Sequence, residues 1–562
     1  MGREQSQGDV VAEYLADLGR RQARARSAAG QPGALRPRSG ARTLPAAVAH
    51  WARTAPERTA LVFAGREWSY ARLDEAVDRL AGWMAAEAGV RPGDRVAVFL
   101  GNRPEFVIAM LAALRIGAVH VPVNPMFRAA ELRHELTDAE PVLAVTDPVL
   151  RELLEEVRPE APSVRRVLDA DGEEWARAVS GHARHGACAD DPDALAALNY
   201  TGGTTGLPKG CEHTGGDMMY TAAAIDLGIT GGTGEPAVYV CFLPVFWIAG
   251  ENLGILAPLA SGGTCVLLPR WDARAVLNAI SAHRVRVLTG TVENYLELLE
   301  RVTEEDDLSS LTHPATVSFV RKLTPEIRRR WRDAAGPHSV LREASYGMTE
   351  THTSDTATTG FQDGDRDLTT DPVFCGLPVP GTELMVADFA TDRPLPLGER
   401  GQILIRTPSL LHGYWRRPEA TAAAVTAEGW LRTGDIGLLD EDGCLHYLGR
   451  DKDMIKVKGM SVFPTEVETL LAAHPEVLAA AVVPVEDAER GQRPYAFVRT
   501  VPGSELTAEQ LTSWARESMA GYKVPQIELT AGLPLTATGK IRKTVLVERA
   551  AKAVAGGAAR KV

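Results

Sequence analysis

A run from Tyr200 to Gly210, YTGGTTGLPKG, holds the densest potential for chemistry in the chain. Its four glycines leave backbone N–H groups unhindered, its three threonines add hydroxyl donors, and Lys209 supplies a positive charge. Such a set suits a polyphosphate, although a plain Gly/Thr surface loop has the same composition. Leu207 and Pro208 separate Gly206 from Lys209, so the run is not a Walker loop and the common ATPase and GTPase architecture is disfavoured. Further along stand YGMTE (Tyr346 to Glu350), GWLRTGD (Gly429 to Asp435), GRDKDMIKVKG (Gly449 to Gly459) and PLTATGKIRK (Pro534 to Lys543). Taken singly these are modest signals. Asp435 after Thr-Gly can be a turn or cap residue, and Lys540 can belong to a solvated basic face with Arg542 and Lys543.

Their order, with GERGQILIRT and LLHGYW ahead of GWLRTGD, resembles the AMP-forming adenylating superfamily of acyl-CoA synthetases, nonribosomal adenylation domains and luciferases. The resemblance runs from about Leu44 to Arg549 and is closest in pattern to stand-alone acid–CoA ligases. It implies an AMP-forming ligase in which an acid attacks the α-phosphorus of ATP and expels diphosphate. The acyl-adenylate then passes to a thiol, with CoA as cosubstrate, and AMP is released. Catalysis of this kind is largely charge neutralisation and alignment.

By the same resemblance, Thr201, Gly202, Gly203, Thr204, Thr205, Gly206 and Lys209 hold the β- and γ-phosphates. Thr349 contacts the α-phosphate and Glu350 ligates Mg²⁺, a hard cation that accepts one carboxylate along with waters and phosphate oxygens. Tyr346 stacks on adenine, Asp435 and Arg450 bind the ribose hydroxyls, and Lys540 bridges the attacking oxyanion and the α-phosphate. Lys452 occupies the hinge position of a small C-terminal domain. Rotation there withdraws Lys540 and brings in the face bearing Lys456, Lys458 and Gly459; otherwise these lysines decorate an exposed strand.

Several pocket positions depart from the family pattern. Gly202 replaces a common serine, Gly215 stands at a usual histidine, and Trp247 in LPVFWIAGEN occupies another position where histidine is common. Tryptophan is bulky and only a donor, so either the thiol tunnel differs or Trp247 is a core residue. The usual glycine-rich GGAPL stretch reads FVRKL, Phe319 to Leu323. Arg321 and Lys322 there either pair with an anionic group on the substrate or turn outward to solvent. Glu251 meets an amine or hydroxyl, or caps a helix, and Gly290, Thr291 and Tyr295 complete the expected pocket by rough alignment. The departures keep a second reading open: adenylation with an amine acceptor, giving an amide, or of a small oxyanion such as nitrite for diazotisation. A nucleotide-binding protein without turnover is the third, and intact Glu350, Asp435, Arg450 and Lys540 argue against it.

The elements that must position these residues follow from composition and periodicity. A chain of 562 residues suggests roughly three to five domain-sized units or one multi-lobed enzyme. Its 45% hydrophobic and 24% charged residues fit a soluble globular protein, and the net charge of -12 argues against a general nucleic-acid binder. The most apolar stretch, Phe106 to Val123, carries Arg115 and His120 and reads as helix then strand rather than a membrane span. Six cysteines lack a C-x-x-C pair, which points to a reducing cytoplasm and to neither disulfides nor a zinc site.

Alternating periods predict helices at Leu73 to Met84, Glu105 to Ile116 and Glu131 to Asp138, with strands at Arg95 to Leu100, Ala118 to Val123 and Val142 to Thr146. This is a layered α/β body. Its expected divisions are a lead segment 1–43, an ATP- and substrate-binding domain 44–450 and a mobile α+β domain 451–562, where Thr507 and Gln510 predict a capping box. The arginine-rich lead segment is expected to be mobile and solvated after a short helix, Val10 to Leu18, with an organellar transit peptide as the other reading.

Overall fold

The computed structural model describes residues 7–559 except 202–206, 232–234, 319, 371–372, 459, 488 and 537–538. The predicted alternation is present: helices Tyr70–Ala86, Pro104–Arg115 and Ala129–Ala139 alternate with strands Arg95–Phe99, Val119–Pro122 and Leu143–Thr146. Ser69 caps the first of these helices by accepting from the Arg72 N–H at 3.3 Å. The helix Pro104–Arg115 is buried on every side, which explains why its sequence reads as continuously apolar. Arg115 is tolerated inside because Asp74 and Asp78 both pair with it. Among the described residues no helix is long and apolar enough to cross a membrane.

Four sheets organise the described residues. In one, Arg166–Asp169, Leu143–Thr146, Arg95–Phe99, Val119–Pro122 and Leu195–Tyr200 run parallel in that spatial order, and Gly210–Thr214 closes the edge antiparallel. A seven-stranded sheet lies beside it, parallel from Arg342–Glu343 across to Thr59–Phe63. One continuous core joins the two, with Leu73, Leu80, Phe106 and Met110 packed with Leu256 and Leu259. The third sheet is antiparallel and contains Leu431–Leu439 beside Leu445–Arg450. The fourth begins at Ile455 and has its own core around Val467, Val482 and Leu511. The short turn Asp451–Asp453 and Met454 separate the strand ending at Arg450 from this last sheet. The capping box forms as expected: Thr507 N–H donates to Gln510 Oε1 at 2.8 Å and Gln510 N–H to Thr507 Oγ1 at 3.2 Å.

The lead segment differs from expectation. Its helix spans Gln7–Ala28 and docks on the antiparallel sheet, with Leu18 buried among Leu384, Ile403, Ile405 and Leu445. Two of its arginines dock, Arg26 donating to Pro378 O at 2.7 Å and Arg38 pairing with Asp226 at 2.9 Å, while Arg20, Arg24 and Arg36 stay exposed as expected. Gly443 must be glycine here, since its φ is +77° and a Cβ would stand 2.7 Å from both Leu18 and Gln22. Truncating Leu18 to alanine should therefore cost about 2–4 kcal/mol in chemical unfolding. A change below ~0.5 kcal/mol, the level of an exposed site, would mean that the helix is undocked in solution.

Candidate active site

The hairpin formed by Leu195–Tyr200 and Gly210–Thr214 holds the glycine-rich run at its tip. Gly202, Gly203, Thr204, Thr205 and Gly206 lie outside the described residues. The neck is closed by the Thr201 N–H donating to Lys209 O at 2.9 Å, and Tyr200 is tied by its hydroxyl to Asp138 at 2.9 Å. The Lys209 ammonium rests 3.9 Å from the centre of the Tyr414 ring, a cation–π contact. The Tyr414 hydroxyl in turn donates to Glu350 Oε1 at 3.0 Å. One tyrosine thus couples the cation of one motif to the carboxylate of another. Tyr414 lies in LLHGYW, where the sequence signal was the motif itself and no role was attached to its tyrosine.

Glu350 sits in the short turn Thr349–Thr351, and the four consecutive carbonyls from Thr349 to His352 receive donors from other parts of the chain. His213 Nε2 bonds Thr349 O at 2.9 Å, Leu411 N–H donates to Glu350 O at 2.8 Å, Ser409 Oγ to Thr351 O at 2.8 Å, and Asn252 Nδ2 to His352 O at 2.8 Å. His352, Thr353 and Ser354 then adopt positive φ of 58°, 65° and 72°. Backbone of this kind is costly for residues with a Cβ, above all for a β-branched threonine, and persists only when its surroundings over-determine it. Asn252 supplies part of that constraint through a second bond to Thr353 Oγ1 at 2.9 Å. Gly347 permits the tight return, because a Cβ there would stand 2.4 Å from Ser354 N. Asp355 closes the loop, its N–H donating to Tyr346 O at 2.9 Å while its carboxyl accepts from Thr351 Oγ1 at 2.6 Å.

Beside this loop, Asp435 and Arg450 face each other in register on adjacent antiparallel strands, with Arg450 Nε 3.2 Å from Asp435 Oδ1. The Tyr346 hydroxyl donates to Asp435 Oδ2 at 2.5 Å, and the Tyr447 ring lies 6.0 Å from that of Tyr346. Burial raises the Asp435 pKa, while Arg450 and the Tyr346 hydrogen bond oppose the rise. Lys540 belongs to the same electrostatic group. Crowding by protein strips its hydration and Arg450 repels it, which lowers its pKa, while Asp435 and Glu350 act in the other direction. The Lys540 side chain nonetheless keeps an exposed face. Its turn is held by the Thr536 N–H donating to Lys540 O at 2.7 Å.

The structure thus gathers Lys209, Tyr346, Thr349, Glu350, Asp435, Arg450 and Lys540. Lys456 stays apart, exposed on its strand with its ammonium 3.1 Å from Ser461 Oγ. Lys452 lies in the turn at the junction, beside Arg450, whose charge helps desolvation lower its pKa. The expected acid pocket is less unified. Glu251 is fully buried against His120, with Oε2 to Nε2 at 3.2 Å, so a buried imidazole rather than solvent-accessible ligand space meets that carboxylate. Thr291 caps the helix Val292–Arg301 reciprocally with Asn294, and a Cβ on Gly290 would crowd Asn294 and Phe242 at 3.1 Å. Tyr295 is a core residue donating to Leu288 O at 2.6 Å. Arg321 is half-buried with Glu293 as its nearest opposing charge, and Lys322 lies near Glu343. Trp247 is half-buried at the start of the helix Ile248–Glu251.

A two-lobed α/β body, a smaller C-terminal lobe and a cleft that combines a phosphate-suited hairpin with Glu350, Asp435, Arg450 and Lys540 define an adenylate-forming ligase. Residues 48–415 match the model of the AMP-binding enzyme family, and residues 466–540 match that of the AMP-binding enzyme C-terminal domain. The chain belongs to this family. A feruloyl-CoA synthase from Amycolatopsis is 33% identical over 88% of this chain and 96% of its own. ATP-bound MatB from Rhodopseudomonas palustris superposes with a TM-score of 0.79 at 30% identity, covering 89% of this chain and 98% of that one. The amide bond synthetase McbA from Marinactinospora thermotolerans gives a TM-score of 0.79 at 29% identity, over 90% and 100%.

Burial holds the Asp355 carboxyl up at about 8, against 3.8 when free, so the folded protein retains a proton that the unfolded chain releases. Its contribution to stability is complete below pH 3.8 and is lost as pH rises through about 8. Asp355→Asn removes this titration, so the stability difference between wild type and variant should change across that window in favour of the variant as pH rises. Parallel pH profiles in chemical unfolding would show that Asp355 is ionised in the native state.

Proposed function

We propose that the protein activates a small-molecule carboxylic acid with ATP, forming the acyl-adenylate and diphosphate, and transfers the acyl group to CoA with release of AMP. The observation that carries this reading is the meeting of Lys540, from the C-terminal lobe, with Glu350, Asp435 and Arg450 from the body. Attack of a carboxylate on the α-phosphorus brings two anions together. A cation placed between them favours the crowded transition state over the separated reactants. Lys540 is the group suited to that task, with Thr349 at the α-phosphate and Tyr346, Asp435 and Arg450 holding adenine and ribose. Lys209 and the hairpin tip take the outer phosphates.

Glu350 offers one carboxylate whose Oε1 is steadied by Tyr414, and among the described residues no group of three His, Cys, Asp or Glu forms a metal cage. That donor set fits Mg²⁺, which keeps waters and binds through one carboxylate plus phosphate oxygens. When bound, Mg²⁺ neutralises phosphate charge; Glu350 would hold it, and the Tyr414 hydroxyl orients the carboxylate. The second half-reaction is assigned to rotation of residues 451–562 about Lys452, which would exchange Lys540 for the face bearing Lys456. An acyl-adenylate can also be captured by an amine. The likeness to an amide bond synthetase and the presence of Trp247 favour that as the second reading of the acceptor.

Measuring AMP formation over a panel of acids, with and without CoA or amines, and identifying the products by mass separates these readings. A thioester appearing only with CoA is the expected result, and AMP release that ignores CoA but needs an amine would overturn the choice of acceptor. Lys540→Ala should lower ATP–diphosphate exchange by at least ~100-fold with ATP binding nearly intact. Near-normal exchange would remove Lys540 from the mechanism. Tyr414→Phe, which keeps the ring for Lys209 but deletes a hydrogen bond to a charged group worth about 1.5–3 kcal/mol, should lower kcat/KM for MgATP by roughly tenfold or more. An unchanged kcat/KM would make Tyr414 a bystander.

A further inference from the structure

His213 lies four residues after Lys209, on the strand Gly210–Thr214 that leaves the phosphate-suited tip. It is fully buried, and its Nε2 stands 2.9 Å from the carbonyl of Thr349. A carbonyl oxygen only accepts, so the proton of this imidazole is on Nε2. Among the described residues the other ring nitrogen has no hydrogen-bond partner, and Asp217 Oδ2 stands 3.9 Å from it. The ring packs edge-on against His352, with centroids 4.6 Å apart. Burial pushes the His213 pKa down to about 4, which keeps the ring neutral and its single donor committed.

This donor joins two rigid pieces. One is the hairpin strand, locked by its pairing with Leu195–Tyr200 and by the Glu212 N–H donating to Gly413 O at 2.9 Å. The other is the turn Thr349–Thr351, whose Thr349 carbonyl also accepts the His352 N–H at 3.0 Å. The strand carries the group for the outer phosphates, and the turn carries the groups for the α-phosphate and the metal. The spacing between these two half-sites is therefore set in part by one side chain.

We propose that His213 is a positioning residue for adenylation, fixing the Thr349–Glu350 turn at a set distance from the Lys209 hairpin through its Nε2–H bond to Thr349 O. The inference rests on the adenylation reading. It assigns His213 no contact with substrate. Misplacement of aligned groups by ~1 Å costs up to about 100-fold in rate, so the effect belongs in kcat more than in substrate affinity.

The test compares His213→Gln, whose amide keeps an N–H donor, with His213→Met, which keeps bulk but has no donor. In ATP–diphosphate exchange, Met should lower kcat at least tenfold with KM for ATP within about threefold, and Gln should restore kcat to within about threefold of wild type. Backbone hydrogen exchange over residues 346–355 supplies a readout independent of any acid substrate. It should accelerate in the Met variant and stay near wild type in the Gln variant. Equal loss of kcat in both variants, full activity in the Met variant, or unaltered hydrogen exchange in the Met variant would each overturn the proposal. Should the wild-type enzyme itself show no exchange with any acid, adenylation is the reading that fails, and the hydrogen-exchange comparison still decides whether His213 fixes the turn.

Discussion

The active cleft depends on how the backbone from Thr349 to His352 is held. Four successive carbonyls accept hydrogen bonds from His213, Leu411, Ser409 and Asn252, donors that come from three separate stretches of chain, Ser409 and Leu411 sharing one loop. A buried carbonyl left without a donor costs about 1–3 kcal/mol, so each bond opposes displacement of the turn. The left-handed residues that follow, His352, Thr353 and Ser354, are a conformation that an isolated peptide would abandon. The turn is consequently a fixture of the surrounding fold, and the Glu350 carboxylate inherits its position from the same network.

Charge is organised around that fixture. The chain carries a net charge of -12, yet Lys209, Arg450 and Lys540 are brought toward one cleft. Asp435 keeps Arg450 in place and Tyr414 spans Lys209 and Glu350, so these two cations are held by the protein's own side chains. Preorganised charge of this kind needs no reorientation as negative charge develops, which is the source of its catalytic value. Lys540 differs from the other two because it arrives from the C-terminal lobe, whose core around Val467 and Val482 is its own. On the proposed reading, a group attached to a separately packed lobe is suited to join and leave the cleft.

Much of this arrangement was legible in the order of motifs. Asp435, Arg450, Tyr346, Glu350 and Lys540 were named from the sequence, and the structure places them in one neighbourhood. The helix and strand periods of residues 70–146 were equally readable, because a buried helix and a buried parallel strand leave distinct apolar patterns. The lead helix was underestimated, since its Arg-rich composition looks solvated until the carbonyls it docks against are known. Tyr414 and Asn252 were missed for a related reason: their partners, Glu350 and His352, lie 64 and 100 residues away. Glu251, expected to meet a ligand group or to cap a helix, sits in the helix Ile248–Glu251 with its carboxylate 3.2 Å from His120 on the strand Val119–Pro122. Long-range pairing of this sort leaves no periodic trace.

The central claim is that an acid oxygen attacks the α-phosphorus of ATP in the cleft between Lys540 and the Thr349–Glu350 turn. Supplying a substrate acid labelled with ¹⁸O in its carboxylate and analysing the released AMP by mass spectrometry tests this most directly. Attack at the α-phosphorus, followed by acyl transfer, leaves one labelled oxygen on AMP. Recovery of unlabelled AMP, with the departing carboxylate oxygen found in diphosphate or water instead, would contradict the account.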